Sequence, residues 1–249
     1  MNDREQLHQL GKGTQQELFG TEQPCAHPYL AQLMQDFGFG RIWARPGLGR
    51  RDRMIATLSA LCVRHRLPTL EQYVPAALDA GLTPQSIDEI FIQCGIYAGF
   101  GSVSKDCLDL AARVYSARGI RTAASDEPSG APVTVLAERG KAMMGRLHAE
   151  RRHDGYASPD NPVTSSFYPD VVAFCYGEIW QRSGLETRER AICALASFTA
   201  LTYTGLTSKF AKASLNVGLS QDEVIEVIVQ TAPYTGLAPV LQALSAIAP

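Results

Sequence analysis

Phe37-Gly38-Phe39-Gly40-Arg41-Ile42-Trp43-Ala44-Arg45-Pro46-Gly47-Leu48 is written again 137 positions later as Phe174-Cys175-Tyr176-Gly177-Glu178-Ile179-Trp180-Gln181-Arg182-Ser183-Gly184-Leu185, and the only two tryptophans of the chain fall on each other. The match continues at that offset without a gap. Arg53 meets Arg190, Leu78 meets Leu215, and Gly81-Leu82 meets Gly218-Leu219. Glu89, Gln93, Tyr97 and Gly99 then meet Glu226, Gln230, Tyr234 and Gly236. Upstream, Leu7, Gly11-Lys12 and Leu18 resemble Leu136, Gly140-Lys141 and Leu147 at an offset of 129, which puts a short insertion into the second copy. Self-similarity at a fixed period sets the architecture before any local motif does. The chain divides into a first repeat with an N-terminal arm over 1–120, a linker over 121–133 and a second repeat over 134–249.

Within each copy the apolar residues recur at helical spacing. Met54, Ile55, Leu58, Leu61 and Cys62 form one stripe, and Ile192, Leu195 and Phe198 form its counterpart. Thr83-Pro84 puts a capping residue before a proline at the first helical position, and Ser220-Gln221-Asp222-Glu223 is a capping box, so both copies start a helix at the same place. Gly81 and Gly218 stand where a left-handed residue closes the preceding helix. Hairpin signals are lacking. The loose segment Arg121 to Pro132 reads as the connection between copies. The expected architecture is all-α, with five or six helices per copy and a pseudo-twofold between them; a unit of roughly 120 residues is long enough to bury a core of its own.

A net charge of −2 and an isoelectric point near 6.2 leave no basic footprint for nucleic acid or an anionic membrane. Met1 to Leu10 is polar and has no apolar signal-peptide segment, which makes a cytoplasmic address the expectation. Cys25, Cys62, Cys94, Cys107, Cys175 and Cys193 show no paired framework and read as reduced thiols. Two charge-free stretches, Ala191 to Ser208 and Val227 to Pro249, raise the question of a membrane span. Their prolines and hydroxyl residues, and the charges at equivalent places in copy one, point instead to deep burial or a subunit interface.

The string Gly-x-Ile-Trp-x-Arg-x-Gly-Leu, the basic helix starts at Arg51/Arg53 and Arg188/Arg190, then Ala-x-x-x-Gly-Leu and Glu-x-x-x-Gln-x-x-x-Tyr-x-Gly, are together similar to the γ-carboxymuconolactone decarboxylase family. The resemblance covers nearly the whole chain. It implies an alkylhydroperoxidase D-like helical fold and a homo-oligomer, either a trimer in which tandem copies imitate a hexamer or a dimer. It further implies removal of CO2 from a carboxylated lactone without a cofactor or metal. Lyase members of the family carry an acid and a histidine one helical turn apart. Those positions here hold Thr69 and Tyr73 in copy one, and Leu206 and Phe210 in copy two, which points to changed chemistry or substrate. The peroxidase branch needs Cys-x-x-Cys, which this chain lacks.

Decarboxylation requires a seat for the substrate carboxylate, a desolvating pocket and donors for the developing enolate. Arg45 and Arg182 have the geometry of a carboxylate seat, or else cap a helix or pair with an acid in the core. Tyr73 is placed to donate a proton, its phenol being a poor base at neutral pH; the bland alternative is a structural hydrogen bond. Trp43 and Trp180 are stacking platforms or core anchors. Gln93 and Tyr97 share a helix face with i, i+4 spacing, lining a pocket or bonding to each other, as do Gln230 and Tyr234. Glu89 and Glu226 read as ion-pair partners of the basic helix starts. Cys62-x-x-His65, and His148 with His153, lack the further ligands of a metal site, and Cys25 near His27 matches no motif. Two functions remain open: a lyase, isomerase or cyclase acting on a carboxylated lactone, β-keto acid or polyketide-like enol, or a catalytically silent binding or assembly subunit.

Overall fold

A computed structural model describes residues 3–21, 23, 25–121, 130–150, 158 and 161–248, and among them there are helices and no strand. Copy one runs through α1 (Asp3–Phe19), α2 (Pro28–Leu33), a π-helical stretch over Met34–Trp43, α3 (Arg50–Val63), α4 (Leu67–Asp79), α5 (Pro84–Ala98) and α6 (Lys105–Ala117). Copy two repeats this as α7 (Val133–His148), α8 (Tyr168–Asp170), a π-helical turn over Val171–Tyr176, α9 (Thr187–Ala200), α10 (Thr204–Asn216), α11 (Gln221–Gln230), α12 (Ala232–Thr235) and α13 (Leu237–Ile247). Residues 122–129 of the linker, and His153, lie outside the described residues.

The caps form where the sequence places them. The Thr83 hydroxyl accepts from Ser86 N at 3.1 Å, and Ser220 and Glu223 bond reciprocally at 3.1 and 2.8 Å. The repeated glycines of the first helix have a packing reason: a Cβ on Gly11 would strike the Gln35 carbonyl, and one on Gly140 would strike that of Val172. Hence α1 and α7 each lie backbone against backbone on the following π-helical segment. This close approach brings Gln15 and Phe19, near the end of α1, to the lining of a cavity.

At the centre, α3 and α9 pack together. Every residue from Arg53 to Val63 and from Glu189 to Ala200 is buried, the pattern of a helix covered on all sides. Each of these helices is part of the other's cover. The buried apolar residues of both copies therefore form one continuous cluster, rather than the two separate cores that the length of each copy allows. Reciprocal ion pairs express the pseudo-twofold: Arg51 to Glu189 at 2.7 Å and Arg188 to Asp52 at 2.8 Å.

The charge-free stretches behave differently from each other. Ala191 to Ala200 is core, whereas α13 buries Val240 and Ala243 and leaves Leu237 and Leu241 56% and 63% exposed. Among the described residues no helix is long and apolar enough to cross a membrane.

Candidate functional site

Helix α4 begins after Arg66 with Pro68 in its first turn, and Arg66, Thr69 and Tyr73 fall at i, i+3 and i+7. That spacing aligns them on one face, and all three line a cavity of about 310 Å³. Helix α1 contributes Gln15 and Phe19, and the π-helical segment contributes Gln35 and Phe39. Tyr234 of α12 also lines it, so a copy-two residue completes a cavity built mainly by copy one. Arg66 is the one cation among these lining residues, and they include no carboxylate and no histidine. Its guanidinium makes no ion pair or hydrogen bond among the described residues.

At the buried end of the cavity three aromatic side chains form a hydrogen-bonded chain. Trp43 Nε1 donates to the Tyr234 hydroxyl at 2.6 Å, and the hydroxyls of Tyr234 and Tyr73 lie 2.7 Å apart. The Trp43 and Tyr73 rings stack at 6.1 Å, and Phe19 meets Tyr73 edge-on at 5.0 Å. Burial, reinforced by Tyr234, holds Tyr73 well above the ordinary phenol value. Burial pushes Tyr234 up to about 12, against the lowering effect of hydrogen bonding to Tyr73, Trp43 and Thr57. Both are neutral phenols at physiological pH, fitted to donate protons and not to abstract them.

The equivalent region of copy two is occupied differently. Phe210 replaces Tyr73, Leu206 replaces Thr69 and Tyr203 replaces Arg66. Phe198, standing where copy one has Leu61, puts its ring 4.6 Å from Tyr97 and 5.0 Å from Phe210. His148, 1% exposed, packs edge-on against Phe210. Trp180 is 2% exposed, and its Nε1 has no hydrogen-bond partner among the described residues.

Arg45 and Arg182 are seated on the protein's own carboxylates. Arg45 Nε reaches both Glu226 oxygens at 2.9 and 3.0 Å, and Arg182 binds Glu89 at 2.8 Å. The same glutamates hold the buried Arg53 and Arg190. Hydrogen bonds from Arg45 and Arg53 outweigh burial and hold Glu226 below the usual carboxylate range. Gly47 and Gly184, at φ 93° and 91°, let the chain turn over these acids; a Cβ on Gly184 would press on Glu89 at 3.0 Å. The repeated Arg-x-Gly-Leu is thus half of a cross-copy ion pair, and among the described residues the cation that faces the cavity without an ion pair is Arg66. Gln93 donates to Tyr97 at 2.7 Å, away from the copy-one cavity. His65 pairs with Asp106 at 3.0 Å while Cys62 is in the core. Cys25 lines the outer cavity, its Sγ on the His27 carbonyl at 3.5 Å. Among the described residues no three His, Cys, Asp or Glu converge to hold a metal. Arg66 and Gln35 were missed, and their one sequence signal is a change of residue type at matched positions, to Tyr203 and Val172; Tyr234, expected to share a face with Gln230, matches another tyrosine, Tyr97, and carries no such signal.

These features define an all-helical tandem-repeat protein with a cavity built mainly by its first copy. The chain belongs to the carboxymuconolactone decarboxylase family, whose pattern matches it twice, at residues 28–113 and 166–249. It is 31% identical over 84 residues to 4-carboxymuconolactone decarboxylase of Acinetobacter baylyi, covering 34% of this chain and 62% of that relative. It is 28% identical over 68 residues to nitrosuccinic acid decarboxylase npaB of Metarhizium robertsii, covering 27% of this chain and 48% of the relative. A crystal structure from Burkholderia xenovorans LB400, of a protein provisionally named a gamma-carboxymuconolactone decarboxylase subunit, superposes with a TM-score of 0.56 at 17% identity, over 98% of this chain and 95% of the other. At that identity the likeness speaks for the fold.

Proposed function

We propose that the copy-one cavity is the active site of a decarboxylase acting on a small enolisable carboxylate, with Tyr73 as proton donor. The family membership and the decarboxylase names of two relatives support a reaction of this kind. The observation that carries the reading is the chain Trp43–Tyr234–Tyr73 ending in a cavity whose lining has donors and no carboxylate or histidine.

Loss of CO2 needs no base. The carbon–carbon bond to the carboxylate breaks, its electron pair passes to the adjacent carbon and is delocalised onto a conjugated oxygen, and CO2 leaves. The Tyr73 hydroxyl then gives its proton to the carbanion, and solvent returns one to the phenolate. As charge develops on Tyr73, Tyr234 donates to it and Trp43 donates to Tyr234, so the buried phenolate is met by an aligned donor chain. An isomerase or cyclase that begins by deprotonation is less well served, because both phenols are held in their neutral form.

Arg66 suits a spectator anion better than the departing carboxylate. Charge leaves that carboxylate in the transition state, so a cation beside it would stabilise the ground state more and slow the reaction. Seated at the exposed side of the cavity, Arg66 instead holds a second anionic group and orients the substrate.

The test is CO2 release from a panel of γ-carboxylactones and β-keto acids, each with and without a second carboxylate. Tyr73→Phe is expected to lower kcat by roughly 10²- to 10⁴-fold, and Arg66→Ala to raise KM for doubly charged substrates with kcat nearly unchanged. Failure of every substrate to release CO2 would overturn the reading.

A further inference from the structure

Two buried networks run in parallel through the molecule and part company at a single atom. In copy two Arg190 donates to Gln93 Oε1 at 3.0 Å, and in the other half Arg53 donates to Gln230 Oε1 at 2.8 Å. A guanidinium only donates, so these contacts fix which end of each amide is oxygen. The amide nitrogens then go different ways. Gln93 Nε2 donates to Tyr97 at 2.7 Å, whereas Gln230 Nε2 turns from the equivalent Tyr234 and donates to Thr57 Oγ1 at 3.1 Å. The residue matching Thr57 in copy two is Ala194, which offers no acceptor.

The tyrosines follow suit. Tyr234 bonds to both Trp43 and Tyr73 and is also met by the Thr57 hydroxyl, while Trp180, matching Trp43, has no hydrogen-bond partner among the described residues. Phe198 in place of Leu61 fills space in copy two but supplies no polar atom, so it does not account for where the amide points.

We propose that Thr57 is the positioning residue that arms the copy-one site: by accepting the Gln230 amide and meeting the Tyr234 hydroxyl itself, it holds that hydroxyl toward Trp43 and Tyr73, and its replacement by Ala194 disarms copy two. Thr57 is fully buried and is absent from the cavity lining, so it acts through Gln230 and Tyr234 rather than on substrate. The assignment rests on the decarboxylase reading for its kinetic consequence and on geometry alone for its structural one.

The experiment therefore has two readouts on the full chain. The indole N–H resonances of Trp43 and Trp180, assigned with Trp180→Phe, report the hydrogen bond without any substrate. In Thr57→Ala the Trp43 signal is expected to move while the Trp180 signal stays, and kcat for CO2 release to fall roughly 10- to 100-fold with little change in KM. Thr57→Ser, which restores the acceptor, is expected to return both readouts toward wild type. In a cycle with Gln230→Met, the two substitutions are expected to shift the Trp43 signal by less than the sum of their separate effects. An unmoved Trp43 signal in Thr57→Ala, no recovery in Thr57→Ser, or fully additive effects in the cycle would each overturn the proposal. If wild type releases no CO2, the decarboxylase reading fails while the indole signals still decide the role of Thr57.

Discussion

The two copies have kept the same skeleton of ion pairs and have diverged where they face a cavity. Arg45, Arg53, Glu226 and Gln230 repeat as Arg182, Arg190, Glu89 and Gln93, with nearly the same contact distances. Against this frame, copy one has an open cavity with a donor chain, and copy two packs Phe198, Phe210 and His148 into the corresponding space. Duplication separates two demands that a single unit must meet together. The buried charges set how the halves join, so both copies are held to them. Once one cavity is present, the other is free to become core.

The largest expected effect tests whether the two halves of the skeleton are equivalent. Glu89 sits between Arg190 and Arg182, whose side chains are 0% and 17% exposed; Glu226 sits between Arg53 and Arg45, at 2% and 41%. Removing one partner of a buried pair costs about 3–5 kcal/mol. Glu89→Ala is expected near the top of that range, because Arg190 has no access to water and Arg182 has little. Glu226→Ala should lose less, since Arg45 can turn outward. Urea unfolding decides this, and equal losses would break the asymmetry.

A smaller effect tests the filling of copy two. Phe198→Leu restores the copy-one residue at that position and is expected to destabilise by about 1–2 kcal/mol, on the scale of large-to-small core changes. The apolar space it leaves should stay dry and admit xenon, visible as shifts of methyl resonances around Phe210. If stability is unchanged and xenon does not enter, neighbouring side chains have collapsed and Phe198 is not what closes the space.

How much of this was legible depends on how far apart the partners are. The duplication, the caps at Thr83 and Ser220 and the all-helical class follow from local spacing, and the structure has them. Arg45 misled because its partner Glu226 lies 181 positions away; the same guanidinium reads as a substrate seat until the fold brings an acid to it. Glu89 and Glu226 were readable as partners of the basic helix starts, because the repeat presented the same acid and the same arginines twice. The single shared core was hidden for a related reason: α3 and α9 each look like one helix of a small bundle, and only their mutual crossing shows what covers their outer faces. Tyr73 stood out from the motif, but Tyr234, which bonds to it, arrives from the other copy. Thr57 against Ala194 was visible as a mismatch at matched positions, yet its meaning depends on the direction of a buried amide, which sequence does not specify.

The smallest expected effect concerns an anchor that copy one has and copy two lacks. Asp36, 5% exposed, accepts from Arg4 Nε at 3.0 Å and His8 Nδ1 at 2.8 Å, tying the start of α1 to the π-helical segment. Ala173 stands at the matching position. Burial alone would raise the Asp36 carboxyl, but hydrogen bonds and charges from His8 and Arg4 outweigh it and hold the group below its ordinary value of 3.8. A carboxyl whose folded value is depressed contributes stability above its unfolded value and loses it as pH falls through the folded one. Asp36→Asn is therefore expected to cost about 1–2 kcal/mol at neutral pH, Arg4 being largely exposed and adding little. The gap to wild type should hold down to roughly pH 4 and close below it. Because α1 carries Gln15 and Phe19 to the cavity, the same variant should quicken amide exchange in α1 but not in α7. A gap that is flat across acid pH, or exchange that quickens equally in both helices, would mean that the anchor does not distinguish the copies.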